Sequence, residues 1–277
     1  MTKKIKTQFD IIDSHVHCFP DKVAPAAIAS LARTSFLKPC CEATRDALLR
    51  SMEEHRVAAS VILPIATNPK QAASCNRFAC ELAQCNNMVA FGSVHPDCAD
   101  IKEQLRFIKD SGLKGIKLHP DFQGHYIDSS EMVSLMYEAA NEGLMIYIHG
   151  GLDISYPEIN RCTPHRLSRA LTVLGGATVI CAHLGGYGYL SDSVRYLAES
   201  GIYTDISAVL GYFPDSEILR VIRAFGAQRV LFGTDHPWDS PSDTRKKLSN
   251  IGLTADEIKL IEHENAEKLF DIELIKQ

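Results

Sequence analysis

The sequence predicts an α/β protein, a single (β/α)8 barrel of the TIM type. Three observations lead there. Apolar runs recur along the whole chain and alternate with stretches of helical period. Four of these runs finish in imidazole or carboxylate side chains: Ile11-Ile12-Asp13-Ser14-His15-Val16-His17, Met145-Ile146-Tyr147-Ile148-His149, Val179-Ile180-Cys181-Ala182-His183 and Val230-Leu231-Phe232-Gly233-Thr234-Asp235. The length, 277 residues, is ordinary for one such barrel. A strand buried on both faces of a parallel sheet reads as a Val, Ile and Leu run. Metal-binding side chains at the carboxyl ends of several such strands point to a site at the barrel mouth.

Taken in order, the spacing predicts strands over 9–17, 59–65, 88–95, 113–119, 144–149, 177–184, 202–207 and 229–235. Helical patterns lie between them at 42–55, 70–84, 99–111, 130–142, 164–174, 190–200 and 215–225. Glycine closes several of these helices, at Gly112, Gly143, Gly201 and Gly226. About eight βα units with no break in composition are what the barrel requires. An open doubly wound sheet is the rival, but no Gly-rich turn follows the first strand. Segment 21–41 is longer than a usual βα loop and carries a short helical pattern at 24–33. An insertion at that point would lie over the active-site face as a lid. The last helix is expected over 254–270, with Thr254 as N-cap and Glu257 as its capping-box partner. One domain spanning 1–277 is expected.

Composition narrows the function. Hydrophobic residues make up 45% and the formal net charge is −5, with acids and bases mixed along the chain. No basic patch points to nucleic acid. No apolar stretch of ~20 residues points to a membrane, and the basic first residues lead into no signal-peptide core. Nine cysteines, odd in number and irregular in spacing, argue against a disulfide framework and for a reducing, cytoplasmic setting. Cys75, Cys80 and Cys85 recur in one helix and read as small packed residues.

The chemistry concentrates at strand ends. His15 and His17 stand two apart on a strand, so both rings share one face and can approach one divalent ion. Phe19-Pro20 then stops the strand. His149 and His183 are followed by Gly150-Gly151 and Gly185-Gly186, where the backbone can turn sharply beside a ligand. Asp235 ends the last strand, where a carboxylate can bind metal and accept a proton. Asp13 shares the His15 face by parity and is expected to orient a ligand histidine. Each feature alone has an ordinary structural reading; together they converge.

That combination, a His-X-His on the first strand, His149 and His183 on the fifth and sixth, and Asp235 on the eighth, resembles the amidohydrolase superfamily. The flanking words Gly115-Ile116-Lys117-Leu118-His119-Pro120, Ala182-His183-Leu184-Gly185-Gly186, Phe232-Gly233-Thr234-Asp235 and Glu264-Asn265-Ala266-Glu267-Lys268-Leu269-Phe270 resemble its amidohydrolase-2 branch, which includes aminocarboxymuconate-semialdehyde decarboxylase. The resemblance implies a metal-dependent enzyme with one divalent ion held by His15, His17, His149 and Asp235. Zinc leads, with manganese, iron or cobalt as alternatives. It makes His183 and Asp235 the catalytic residues, His183 standing beside the bound water. Lys117 is ambiguous: in binuclear relatives a carboxylated lysine on this strand bridges two metals, and otherwise it would meet substrate. His119, Arg161 and Trp238 are candidate substrate contacts by location.

The expected reaction is hydrolysis of a small carbonyl- or carboxylate-bearing compound by metal-activated water. Decarboxylation or hydration on the same centre is the alternative, and a non-catalytic metal- and ligand-binding barrel the third reading. A small-molecule partner and a homodimer are expected.

Overall fold

In the computed structural model, residues 2–276 are described. Eight parallel strands form the barrel: β2 (Ile11–Val16), β3 (Val57–Ile62), β4 (Met88–Ala90), β5 (Gly115–Leu118), β6 (Met145–Ile148), β7 (Val179–Cys181), β8 (Tyr203–Asp205) and β9 (Val230–Leu231). Two longer ladders, β2-β3-β4 and β5 through β9, are joined by single parallel bridges. Gly92 pairs with Ile116 on one side, and Val16 pairs with His236 on the other. The ring therefore closes, and the fold is a TIM barrel.

Around it run α1 (Ala24–Ser35), α2 (Arg45–Glu54), α3 (Ala72–Ala83), α4 (Ile101–Asp110), α5 (Pro120–Gln123), α6 (Ser130–Asn141), α7 (Pro164–Leu171), α8 (Leu190–Tyr196), α9 (Asp215–Phe225), α10 (Pro241–Leu248), α11 (Ala255–Lys259) and α12 (Asn265–Phe270). Side-chain oxygens cap α2, α6 and α7 at Thr44, Ser129 and Thr163. Thr254 and Glu257 form the capping box at α11.

Strand parity separates two cores. Ile11, Ile62, Ala90, Ile116, Ile146, Val179 and Val230 face the helices. Ile12, Val61, Val89, Phe91, Tyr147, Ile180 and Leu231 form the second cluster, inside the barrel. The amino-terminal end of the barrel is sealed by elements that the apolar pattern does not predict. β1 (Lys3–Thr7) pairs in parallel with β10 (Ile272–Lys276), from Lys3–Ile272 to Thr7–Lys276. Their Ile5 and Ile272 join Phe270 in the inner cluster. Lys3 Nζ donates to the carbonyls of Ala83, Cys85 and Met88, at the start of β4.

Three further differences have physical reasons. The observed strands are shorter than the apolar runs, because the polar residues at their carboxyl ends leave the ladder to build loops. The 254–270 helix contains a π turn at Leu260–Glu264. Its Ile261 carbonyl accepts the Phe232 N–H at 2.8 Å, and Glu262 takes two bonds from Arg245 at 2.8 and 3.0 Å. The turn therefore docks the helix onto the last strand. Short, polar α10 lacks an apolar period strong enough to read. Among the described residues, no helix is long and apolar enough to cross a membrane.

Candidate metal centre and active site

His15 sits in β2, His17 just beyond it, and Asp235 four residues after β9. Closure of the barrel brings the three together. His17 Nε2 lies 3.0 Å and His15 Nε2 3.4 Å from Asp235 Oδ1. Gly233 leaves the room: a Cβ there would press within 3.0 Å of His15 Cβ and 3.3 Å of Ser207 Cβ. Asp235 itself has φ 54°, a left-handed conformation costly for a residue with a side chain. His183 and Leu184 share that region, at φ 59° and 53°.

Donor and acceptor bookkeeping decides what the triad can hold. His17 Nδ1 faces the Leu63 carbonyl at 2.9 Å, so it is the donor there. In the neutral ring Nε2 then carries a lone pair, aimed at a carboxylate oxygen. His15 repeats the pattern: Nδ1 faces Asp205 Oδ2 at 2.9 Å, and Nε2 is turned toward Asp235. Burial first, and then the charge of Lys117, pull the His15 imidazolium down to about 3, so the ring is neutral at pH 7. Lone pairs facing a carboxylate call for a cation between them. Outer partners fixing Nδ1 so that Nε2 is free are the usual support of a metal-binding histidine.

A second chain of bonds orients His149. His183 Nδ1 donates to the Ser207 carbonyl at 2.9 Å, which leaves its Nε2 to accept from His149 Nδ1 at 3.1 Å. His149 Nε2 is then a buried lone pair with no partner. His149 is not part of the His15–His17–Asp235 group; its ligand atom falls with those of His119 and Asp153. Its ring stacks on His119 at 4.0 Å. His119 Nδ1 accepts the Phe122 N–H at 3.4 Å, so its Nε2–H donates to Asp153 Oδ2 at 3.2 Å. His17 Nε2 and His149 Nε2, the His15 Nε2 that also meets Lys117 Nζ at 3.2 Å, and one carboxylate thus border the mouth, a donor set that suits zinc, manganese, iron or cobalt.

Asp205 has no place in the sequence-predicted site, yet it organises the floor. Its Oδ2 accepts from His15 and, at 2.6 Å, from the Tyr147 hydroxyl; its Oδ1 accepts the N–H groups of His183 and Ser207, both at 3.0 Å. Burial alone would raise this carboxyl, but the adjoining His15 ring and the Ser207 hydroxyl outweigh it and hold the group below the usual carboxylate range. The available signal is an acid ending a strand, as Asp235 does. Asp13 acts differently from expectation. It touches no ring: it accepts the Thr234 N–H at 3.0 Å, the Thr234 hydroxyl at 2.6 Å and the His15 N–H at 3.2 Å. It ties the backbone of β2 to the segment that carries Asp235.

Lys117 is fully buried, with Nζ 3.2 Å from His15 Nε2 and 4.9 Å from the Tyr147 ring centre. Burial lowers its pKa to about 8. A cavity of ≈ 600 Å³ opens above the floor, lined by His17, Lys117, His119, His149, His183, Asp235 and Trp238 among others. Residues of α1 line its outer side. Arg161 is not among the lining residues; its guanidinium pairs with Asp121 at 3.5 Å and lies 5.9 Å from the Tyr126 ring centre.

The amidohydrolase family model matches residues 12–272, nearly the whole chain. The chain belongs to the amidohydrolase-2 family. No curated protein matches this amidohydrolase in sequence. Solved structures do match in fold. An uncharacterised TIM-barrel protein from Bordetella bronchiseptica is 19% identical, with a TM-score of 0.74 over 96% of this chain and 98% of that one. A dihydroxybenzoic acid decarboxylase from Polaromonas, with bound manganese and the inhibitor 2-nitroresorcinol, is 16% identical, with a TM-score of 0.67 over 95% and 97%. A 5-carboxyvanillate decarboxylase from Sphingomonas paucimobilis is 14% identical, with a TM-score of 0.68 over 96% and 100%. At these identities the likeness is one of fold.

Proposed function

We propose that this amidohydrolase is a metal-dependent decarboxylase of a small organic acid. The supporting observation is the largely apolar cavity that opens onto His17, His149 and Asp235. This reverses the order expected from sequence, where hydrolysis comes first; the fold shared with decarboxylases is consistent with the change.

His15, His17, His149 and Asp235 would hold one divalent ion, zinc first, with manganese, the ion bound in the Polaromonas structure, an alternative. Such an ion supplies positive charge that polarises a substrate oxygen. The apolar walls strip water from a bound carboxylate. A localised anion loses more by that than charge spreading into a carbon framework, so the walls favour carbon dioxide loss. They also exclude the water that hydrolysis consumes. Departing carbon dioxide leaves its electron pair on the substrate carbon. His183 Nε2, which accepts from His149 in this structure, would deliver the proton that this pair takes up only after releasing His149 and gaining a proton from solvent, and the Asp235 carboxylate on the same wall would relay it. The His119 ring, its Nε2–H held by Asp153, would orient the substrate through its place on the cavity wall. The nine cysteines are all free, which suits a cytoplasmic setting.

Product analysis tests the reading. Metal-replete protein and carboxyl-labelled aromatic acids, run in ¹⁸O-water, should release labelled carbon dioxide with no ¹⁸O in the organic product. Incorporation of ¹⁸O without carbon dioxide would overturn decarboxylation in favour of hydrolysis. Ligand-dependent behaviour unchanged by His183→Ala and Asp235→Asn would instead favour the binding barrel.

A further inference from the structure

Helix α1 is an oddity of packing. Of its twelve residues only Ala24 is buried. By contrast α9, of similar length, buries Ile218, Val221, Ile222 and Phe225. Among the described residues α1 has no extensive packing against any other helix or strand. Yet it is not polar all round. Ala27, Ile28 and Leu31 fall on one face at helical spacing, and that face lines the cavity. The helix is held at its flanks instead. Phe19 N–H donates to the Ala43 carbonyl at 2.8 Å, Cys40 N–H donates to the Pro237 carbonyl at 2.7 Å, and the Thr34 and Ser155 hydroxyls meet at 3.0 Å. An apolar helix face looking into a cavity is completed by whatever fills that cavity. Phe78, Phe122 and Trp238, also apolar, line the same cavity.

The charges are equally selective. Lys117 is the one lysine or arginine on the lining, and it is committed to His15 at 3.2 Å. Asp153, Asp235 and Asp239 share the same walls. A divalent ion and Lys117 would just offset those three carboxylates, so a substrate carboxylate would be held by the metal itself and the walls would have no surplus positive charge for a second one. A second carboxylate on the substrate would meet apolar side chains, the acids Asp153 and Asp239 and neutral groups such as Gln71 and Ser74, with no arginine on the lining to receive it.

We propose that the substrate is a monocarboxylic acid with an extended apolar body, and that the inward face of α1 covers that body. The inference rests on the decarboxylase reading for the placement of the carboxylate at the metal, and on α1 for the rest. It separates this chain from an enzyme built for small, multiply polar acids.

The test is a binding series measured by calorimetry on the metal-replete protein: benzoate, then 4-ethyl-, 4-butyl- and 4-hexylbenzoate, with terephthalate as the dianion. Affinity should rise about two- to fourfold per added methylene until the cavity is full. Terephthalate should bind at least about tenfold more weakly than 4-butylbenzoate. Ile28→Asn and Leu31→Asn, on the inward face, should flatten the series; Ala29→Gln, on the exposed face, should not. The wild-type series stands without the variants if either fails to fold. Affinity independent of chain length, preference for the dianion, or an unchanged slope in both folded inward variants would overturn the proposal. Chain-length-dependent binding with no carbon dioxide released from any acid would sink the decarboxylase and leave this inference standing. Release from short acids with a flat series would do the reverse.

Discussion

At its amino-terminal end the barrel closes on Ile5, Phe270 and Ile272, all apolar and almost wholly buried. At the carboxyl end the same ring of strands buries Asp13, His15, Lys117, His119, His183 and Asp205 to much the same degree. The lower end is mainly packing, and its apolar side chains add stability by leaving water. The upper end offsets its polarity with a network in which nearly every donor meets an acceptor, as at Asp205 and Asp13. The exceptions are informative. His149 Nε2 has no partner, and the His17 Nε2 lone pair faces the Asp235 carboxylate. Stability resides at one end, and unmet binding capacity at the other.

The largest effect should come from the unmet capacity itself. His17→Ala and Asp235→Asn should each cost more than the about 10–100-fold typical of outer partners, in metal affinity and in carbon dioxide release, while thermal melting of the metal-free protein changes little. Retention of one tightly bound ion in both variants, by elemental analysis, would break the contrast between the ends. Phe270→Ala should do the opposite. It should destabilise by about 3–5 kcal/mol in urea titrations and leave metal content per folded chain unchanged.

Lys117→Met tests whether the upper end carries a standing cost. Burial lowers the folded pKa from 10.5 to about 8, whereas the unfolded chain keeps the ordinary value. The folded state therefore binds fewer protons between those values. The penalty is full below pH 8 and fades as pH rises toward 10.5. Metal-free Lys117→Met should be more stable than the parent at pH 7 by up to about 3 kcal/mol, and the gap should narrow by pH 10. A destabilised variant at pH 7 would contradict this. Asp205→Asn should have the smallest effect of the four, lowering metal affinity about 10–100-fold by releasing the His15 ring, with the ion still bound at high concentration.

What is legible in the sequence follows from how local each signal is. The barrel strands can be read because each is a short apolar run between helical periods. The His15–His17 pair can be read because strand parity fixes its geometry within three residues. Asp205 lies in a recognised strand, but its importance depends on His15, 190 residues away, and no pattern in Thr204-Asp205-Ile206-Ser207 reports that. The β1–β10 pair escapes notice for the same reason: Lys3-Lys4-Ile5-Lys6-Thr7 shows one apolar side chain, and its partner strand begins at Ile272. His149 groups with the ligands by its place at a strand end. How far its ring leans toward His119 depends on packing at the mouth. The helix at 24–33 is legible, and it runs on to Ser35; that its apolar face looks into a cavity is not.

The most direct test is a crystal structure of the metal-replete protein with anomalous scattering recorded at the metal edge. One ion per chain should appear, with His15 Nε2 and His17 Nε2 at about 2.0–2.2 Å and Asp235 coordinated. His149 Nε2 should turn onto the same ion, its Nδ1 still bonded to His183. An ion held instead by His95, Asp97 and His125, another group whose ligand atoms lie within 4.8 Å of one another, or one that leaves His15 and His17 uncoordinated, would contradict the account.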